Sequence, residues 1–364
     1  MCLTTISDAT ENEPVVVCIA QRPLISKQQT KSIRTFSHST KKNRILVTGG
    51  TGQIGMELVP YMRQLMGNDA IVNSDIKAPA GARDGPFVYC DVQDRDQLAR
   101  IVTEHDVDTI VHMASLLSAV GETNPTLALS VNTRGIQNVL ELAKQYQLRV
   151  FAPSTIAVFG PSTPPDDTPD TTIMRPTTMY GLTKVHLELL GEYYNKKFGV
   201  DFRSVRYPGV ISSEALPGGG TTDYAVEIFY DALKHGKYTC FLNPDAKLPM
   251  MYMPDCLKAT MGLINAPDEC LTQRTYNITA ASFTPEEIVA SIQKVMPSFQ
   301  CDYKPDFRQQ IAETWPRSLD DSIARRDWNW QHDYDLDAMV EDMIVKLDAK
   351  LTKAEIPEVT TVAV

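Results

Sequence analysis

The 364-residue chain reads as an α/β protein: a doubly wound parallel sheet followed by a smaller mixed α/β lobe. Three observations carry this. Short apolar runs alternate with amphipathic stretches from residue 44 to 207; the first run feeds a glycine cluster that opens the first amphipathic stretch; and past Pro208 the alternation becomes irregular. Buried strands alternating with helices call for a parallel sheet covered on both faces.

Each element follows in order. Arg44–Thr48 is the first strand, and Gln53–Met66 a helix bent at Pro60. Ala70–Asp75 and Phe87–Asp91 are the next two strands. Asp94–His105 is a helix, with Leu98, Ile101 and Val102 on one face. Thr109–Ala114 is the fourth strand. Pro125–Tyr146 is a long helix, with Pro at its start and Val131, Ile136, Val139, Leu140 and Ala143 at helical spacing. Arg149–Ser154 is the fifth strand, Tyr180–Phe198 a helix and Phe202–Tyr207 the sixth strand. The division is a leader over 1–43, a sheet domain over 44–207, a lobe over 208–347 packed closely on it, and a tail over 348–364.

Composition narrows the function. Hydrophobic residues at 43% and charged residues at 22% suit a globular core. A net charge of −10 argues against nucleic acid as partner. No apolar stretch approaches the ~20 residues of a membrane span. The seven cysteines include no CxxC pair and the six histidines no HxxxH pair, so neither a disulfide framework nor a metal site is expected. From Gln21 to Asn43 there are six basic residues, no acid and dense Ser and Thr, the composition of an organelle transit peptide. Asp8, Glu11 and Glu13 fit that pattern less well.

The glycine cluster, Thr48-Gly49-Gly50-Thr51-Gly52-Gln53-Ile54-Gly55, lies between strand and helix. Gly49 permits the tight turn, Gly52 lets backbone approach a pyrophosphate, and Gly55 allows close helix–strand packing. The helix N-terminus then offers N–H groups and a positive dipole end to phosphate. Asp75, before Ile76, ends the second strand 20 residues after Gly55, where a carboxylate accepts from ribose hydroxyls and repels a 2′-phosphate. NAD is therefore expected over NADP. Asp91 and Val92 close the third strand at the adenine edge, and Met113, Ala114 and Ser115 the fourth beside the pyrophosphate and nicotinamide ribose.

Tyr180 and Lys184 stand at i and i+4, one face of a helix. A free phenol titrates near pH ~10 and is a poor base at neutrality. A neighbouring ammonium and the positive nicotinamide favour phenolate, which can take the proton of an alcohol as hydride leaves its carbon. Thr155, with Ser154 as the neighbouring candidate, would hold the substrate oxygen against the tyrosine.

TGGTGQIG, HMAS at 112–115, VNTRGIQNVLELA at 131–143, STIAVFG at 154–160 and YGLTK at 180–184 together resemble the extended short-chain dehydrogenase/reductases, over about residues 44–340. The resemblance implies a Rossmann fold, NAD and the Thr155/Tyr180/Lys184 constellation. Lys184 would lower the tyrosine pKa and bind ribose, Asn132 would be structural or a proton relay, and the Tyr207-Pro208 turn, with Ile211 beyond it, would back the nicotinamide carboxamide. The stretches at 206–212, 218–225, 248–256 and 315–328 look like those members that oxidise L-threonine at its β-hydroxyl to 2-amino-3-oxobutanoate. Such members imply a mitochondrial matrix location, a functional link to a coenzyme A-dependent ligase that consumes the product and, by the superfamily's helix pairing, a homodimer.

Threonine as a zwitterion needs donors for its carboxylate. The loop around Gly218–Thr222 is expected to clamp it through Gly219 and Thr221, with Ser115 and Thr178 nearby. Trp315, Trp328 and Trp330 read as packing residues. Two alternatives stand. One is a nucleotide-sugar epimerase or dehydratase using the same Tyr–Lys pair, against which Leu216–Tyr224 offers no Lys or Arg for a diphosphate. The other is a non-catalytic NAD-binding redox sensor.

Overall fold

The apolar runs line up side by side as strands in the computed structural model, which describes residues 43–79, 84–216 and 220–355. In chain order the elements are β1 (Ile45–Thr48), α1 (Gly55–Met66), β2 (Ile71–Asp75), β3 (Phe87–Tyr89), α2 (Arg95–Glu104), β4 (Thr109–His112), α3 (Ser118–Thr123), α4 (Pro125–Tyr146), β5 (Arg149–Phe151), β6 (Ser154–Thr155), α5 (Met179–Phe198) and β7 (Asp201–Tyr207). There follow β8 (Gly209–Ile211), α6 (Tyr224–His235), β9 (Lys237–Cys240), β10 (Leu248–Tyr252), α7 (Met253–Asn265), β11 (Thr275–Asn277), β12 (Ala281–Phe283), α8 (Pro285–Val295), β13 (Gln300–Tyr303), α9 (Phe307–Ala312), α10 (Ser322–Trp328) and α11 (Leu336–Glu355).

The main sheet is parallel, in the order β11-β7-β5-β4-β1-β2-β3, with β6 also paired to β7. Every residue of β1 and β4 is buried, which is why Ile45–Val47 and Ile110–Val111 are apolar without alternating. One face is covered by α1 and α7 through Leu58, Met62, Cys256 and Leu263. The other is covered by α2, α4 and α5 through Leu98, Ile136, Val139 and Leu187. The strand order reverses beside β1, with β2 on one side and β4 on the other, so the crevice for a ligand opens at their carboxyl ends.

The structure differs from the sequence reading in several places; β3 and β4 end at Tyr89 and His112, two residues before expected, and α11 runs to Glu355 through the start of the expected tail. Pro153 has no N–H to continue a ladder, so the expected fifth strand stops at Phe151, and Ser154–Thr155 pair onward with β7 only. The first helix begins at Gly55, two residues later than expected, because 49–54 form the turn. A short helix, α3, was not foreseen. Finally, residues past 207 do not all enter the lobe: β11 pairs with β7 and α7 packs beneath the main sheet, where Tyr276 and Leu263 complete its core.

The rest of the C-terminal half forms the lobe. β8, β10 and β12 make a three-stranded sheet and β9 and β13 a two-stranded one. They pack with α6, α8 and α11 around Tyr224, Phe229, Tyr252 and Val340. The leader through residue 42 and the tail from 356 lie outside the described residues.

Candidate active site

A cavity of about 380 Å³ opens at the carboxyl ends of β1 and β4 and runs between the main sheet and the start of α6. Its floor is the glycine turn. Gly49 has φ +69°, and a Cβ there would sit 2.5 Å from the Ala114 nitrogen, so only glycine lets β1 turn beside β4. No side chain caps the start of α1, and Gly52, Gln53, Ile54 and Gly55 line the cavity there. Uncapped N–H groups at a helix start are what a pyrophosphate requires. Asp75, at the end of β2, accepts from the Thr51 amide at 3.1 Å and from the Lys77 amide at 3.3 Å. This fixes its carboxylate beside the turn, where a ribose would lie.

Tyr180 and Lys184 enter from the first turns of α5. Thr178 caps that helix, its hydroxyl accepting from the Gly181 amide at 3.1 Å. The Thr155 hydroxyl works to lower the pKa of the Tyr180 phenol, and Lys184 Nζ lies 5.6 Å from the tyrosine ring centre. Lys184 Nζ donates to the Pro153 carbonyl at 2.8 Å. Burial pushes the Tyr180 phenol up to about 12, against the Thr155 hydroxyl. Burial also brings the Lys184 ammonium down to about 8, against the pull of Glu188. The unliganded phenol is therefore neutral at physiological pH, and the added positive charge of an oxidised nicotinamide is what this site needs to release its proton. The uncapped glycine turn and the seated Asp75 fit NAD.

Ser115 lines the same cavity, and its buried hydroxyl has no partner among the described residues. A buried hydroxyl without a partner is costly unless a ligand supplies one. On the far wall stand Gly220, Thr221, Thr222 and Asp223. Asp223 is the one carboxylate on the wall among the described residues, and it accepts from the Gly220 amide at 2.8 Å. Met113 and Pro208 line the cavity too.

Several expected contacts lie elsewhere. Ser154 turns its hydroxyl onto Glu188 and away from a substrate oxygen. Thr48 is fully buried, its hydroxyl 2.9 Å from Nδ1 of His112. Asn132 is bonded to the Leu116 backbone and to Thr183 at 3.0 Å, tying α4 to α5. Thr178 is consumed as a cap. Tyr207 lines the cavity, but its hydroxyl bonds Thr260 on α7. Ile211 and Val92 are buried in the lobe and sheet cores. Ile76 is exposed at the end of β2, and Asp91 accepts from the Gln93 amide in its own turn. Ala114 is placed by its contact with the glycine turn. Gly219 lies outside the described residues. Trp315, read as packing, lines the cavity. It and Asp223 were missed as site residues because neither belongs to a spaced pattern. Among the described residues no cluster of His, Cys, Asp and Glu could hold a metal ion.

This fold and site define an NAD-binding enzyme of the epimerase/dehydratase kind. Residues 45–279 match the NAD dependent epimerase/dehydratase family, and the chain belongs to it. The chain is 51% identical to L-threonine 3-dehydrogenase, mitochondrial, of Sus scrofa, over 85% of this chain and 84% of that one. The crystal structure of L-threonine dehydrogenase from Phytophthora infestans is 90% identical, with a TM-score of 0.83, covering 85% of this chain and 100% of that chain. That of L-threonine dehydrogenase from Clostridium difficile is 47% identical, with a TM-score of 0.84, covering 85% and 98%.

Proposed function

We propose that this chain oxidises L-threonine at its β-hydroxyl with NAD⁺, giving 2-amino-3-oxobutanoate and NADH. The observation that carries the reading is that Thr155, Tyr180 and Lys184 line one cavity floored by the glycine turn, with the ammonium 5.6 Å from the phenol ring centre. Thr155 orients the substrate hydroxyl and Tyr180 takes its proton. Lys184 stabilises the phenolate and reaches the ribose. Gly49, Gly52–Gly55 and Asp75 hold the cofactor. Bound NAD⁺ accepts the hydride released from Cβ.

The zwitterion selects the rest of the wall. Ser115 and Thr221 donate to the carboxylate, and Asp223 accepts from the ammonium. Among the described residues that line the cavity Lys184 is the one cation, and a single ammonium is a poor match for a sugar diphosphate, which favours the amino acid over a nucleotide sugar. An intact base, orienting hydroxyl and ammonium favour an enzyme over a sensor.

We extend the reading to assembly and place. Leu127 and Leu129 on α4 and Leu182, Leu189, Tyr193 and Phe198 on α5 are large exposed apolar residues on two packed helices, suited to a homodimer. The basic, acid-free segment 21–43 is a mitochondrial address, and the product passes to a coenzyme A-dependent ligase. We divide the chain into a NAD-binding part, 44–207 together with β11 and α7, and a substrate lobe made by the rest of 208–347, with the cavity at their junction.

The test is NADH formation from NAD⁺ and L-threonine, with Tyr180→Phe alongside. Turnover lost in the variant supports the reading. No NADH with threonine, from protein that binds NAD⁺, refutes it.

A further inference from the structure

Glu188 follows Tyr180 and Lys184 at the same helical spacing, so the three share one stripe of α5. Two of them are bonded to a single tripeptide: Lys184 donates to the Pro153 carbonyl, and Ser154 donates its hydroxyl to Glu188 Oε1, while Thr155, the third residue, shares the cavity lining with Tyr180. Glu188 is 1% exposed and is gripped from the other side by Arg206. Arg206 Nε donates to Oε1 at 2.9 Å and Nη2 to Oε2 at 2.8 Å. Arg206 stands opposite Ser154 in the β6–β7 register, and its Nη1 is held by the Asp170 carbonyl at 2.7 Å and Asn277 Oδ1 at 3.0 Å.

A buried ion pair is weak evidence for stability, because apolar replacements of similar volume often fold as well. What this one does is hold β6. The two-residue strand is paired on one side only and preceded by a proline, so the backbone ladder alone fixes it poorly. We propose that Glu188 is a positioning residue of the active site: it holds Ser154, and with it the peptide bearing Thr155, beside Tyr180, and it sets a buried carboxylate one helical turn from Lys184. The inference rests on the oxidative reading above.

The surrounding charges are few. Lys184 faces Tyr180 and Glu188 from its own helix and His112 from β4, whose burial brings its pKa down to about 3, so the ring is uncharged. Glu188 faces Lys184 and Glu192 on α5 and Arg206 on β7, and Asp170, from the segment before α5, faces Arg206. Burial works to strip the Lys184 proton, and the Glu188 carboxylate is the charge that opposes it.

The test uses the full chain without cofactor or substrate. Protein labelled with [ε-13C]lysine is titrated by NMR, the Lys184 signal being assigned with Lys184→Arg. Glu188→Gln keeps an acceptor for Ser154 and removes the charge. Its Lys184 midpoint is expected about one pH unit or more lower, the size of one close opposite charge. In turnover, the alkaline limb of kcat moves down by the same amount. Ser154→Ala leaves the Lys184 midpoint in place and lowers kcat about tenfold, as expected for a slackened catalytic hydroxyl. An unmoved Lys184 midpoint in folded Glu188→Gln overturns the electrostatic role, and wild-type kcat in Ser154→Ala overturns the positioning role. Should Glu188→Gln fail to fold around an unpaired Arg206, Glu188→Gln with Arg206→Gln removes the carboxylate and its partner cation together; it is held to a downward shift smaller than that of the single variant, and a midpoint that rises overturns the electrostatic role. Absence of threonine turnover in the wild type would overturn the functional reading, while the NMR titration still decides the role of Glu188.

Discussion

Replacing Gly181 with alanine sets two effects against each other inside the active-site helix. Helix propensity alone favours alanine by about 1 kcal/mol. The structure opposes it. A Cβ on Gly181 would lie 2.1 Å from the Ala157 carbonyl oxygen and 2.6 Å from Cβ of Pro176. A carbon–oxygen contact needs about 3.3 Å, so α5 or the 156–158 turn must retreat by about 1.2 Å. Neither yields easily, since Ile156, Ala157 and Val158 are buried and the blocking atom is backbone. Overpacking of this kind costs about 1–3 kcal/mol, which offsets or exceeds the propensity gain. The catalytic consequence is larger. Gly181 follows Tyr180, and Ala157 is two residues from Thr155, so the retreat moves Tyr180 and Thr155 apart directly. Misplacement by about 1 Å costs on the order of a hundredfold in rate, or about 2.7 kcal/mol in the barrier. The assay is kcat for threonine-dependent NADH formation, with urea denaturation run in parallel. A variant with wild-type kcat and a raised urea midpoint would refute the close approach of α5 to the 156–158 turn.

Other expectations follow from the same geometry. Tyr180→Phe keeps the ring and removes the base, and kcat should fall by about 10²–10⁴, measured as NADH release. Asp75→Ala removes the carboxylate at the ribose end of the glycine turn; cofactor titrations should show weaker NAD⁺ binding and a smaller penalty for NADP⁺. Ser115→Ala deletes a buried hydroxyl that has no partner among the described residues, so stability should hold or rise while KM for threonine increases; an unchanged KM would remove Ser115 from the site. His112 is buried with its pKa lowered from 6.5 to about 3, so below pH 6.5 the unfolded chain binds a proton that the folded chain does not. Its contribution is present above pH 6.5 and is lost as pH falls toward 3, by at most about 1.4 kcal/mol per pH unit. His112→Asn should flatten that part of the stability–pH curve, and an unchanged slope would contradict the burial.

Local chemistry made much of this protein legible in its sequence. The bounds of α4 coincide with the expected Pro125–Tyr146, because a proline start and a 3.6-residue apolar repeat both depend on neighbouring residues alone. The glycine turn, Asp75 and the Tyr180/Lys184 spacing were legible for the same reason: each function needs its residues at a fixed local separation. What the sequence concealed depends on contacts between distant segments. That the hydroxyl of Ser154 faces Glu188, while that of Thr155 faces Tyr180, follows from how α5 lies across the break at Pro153. Trp315 reaches the cavity across 135 positions from Tyr180, and β11 returns from the lobe strands β8, β9 and β10 to close the sheet edge. Thr48 and Ile211 sit in motifs that point to the cofactor, yet one bonds His112 and the other fills the lobe core. The sequence by itself determined which residues could do the chemistry. The tertiary structure decided which of their side chains face the cavity, because that direction is set by what packs behind each backbone segment, and those partners lie far away in the chain.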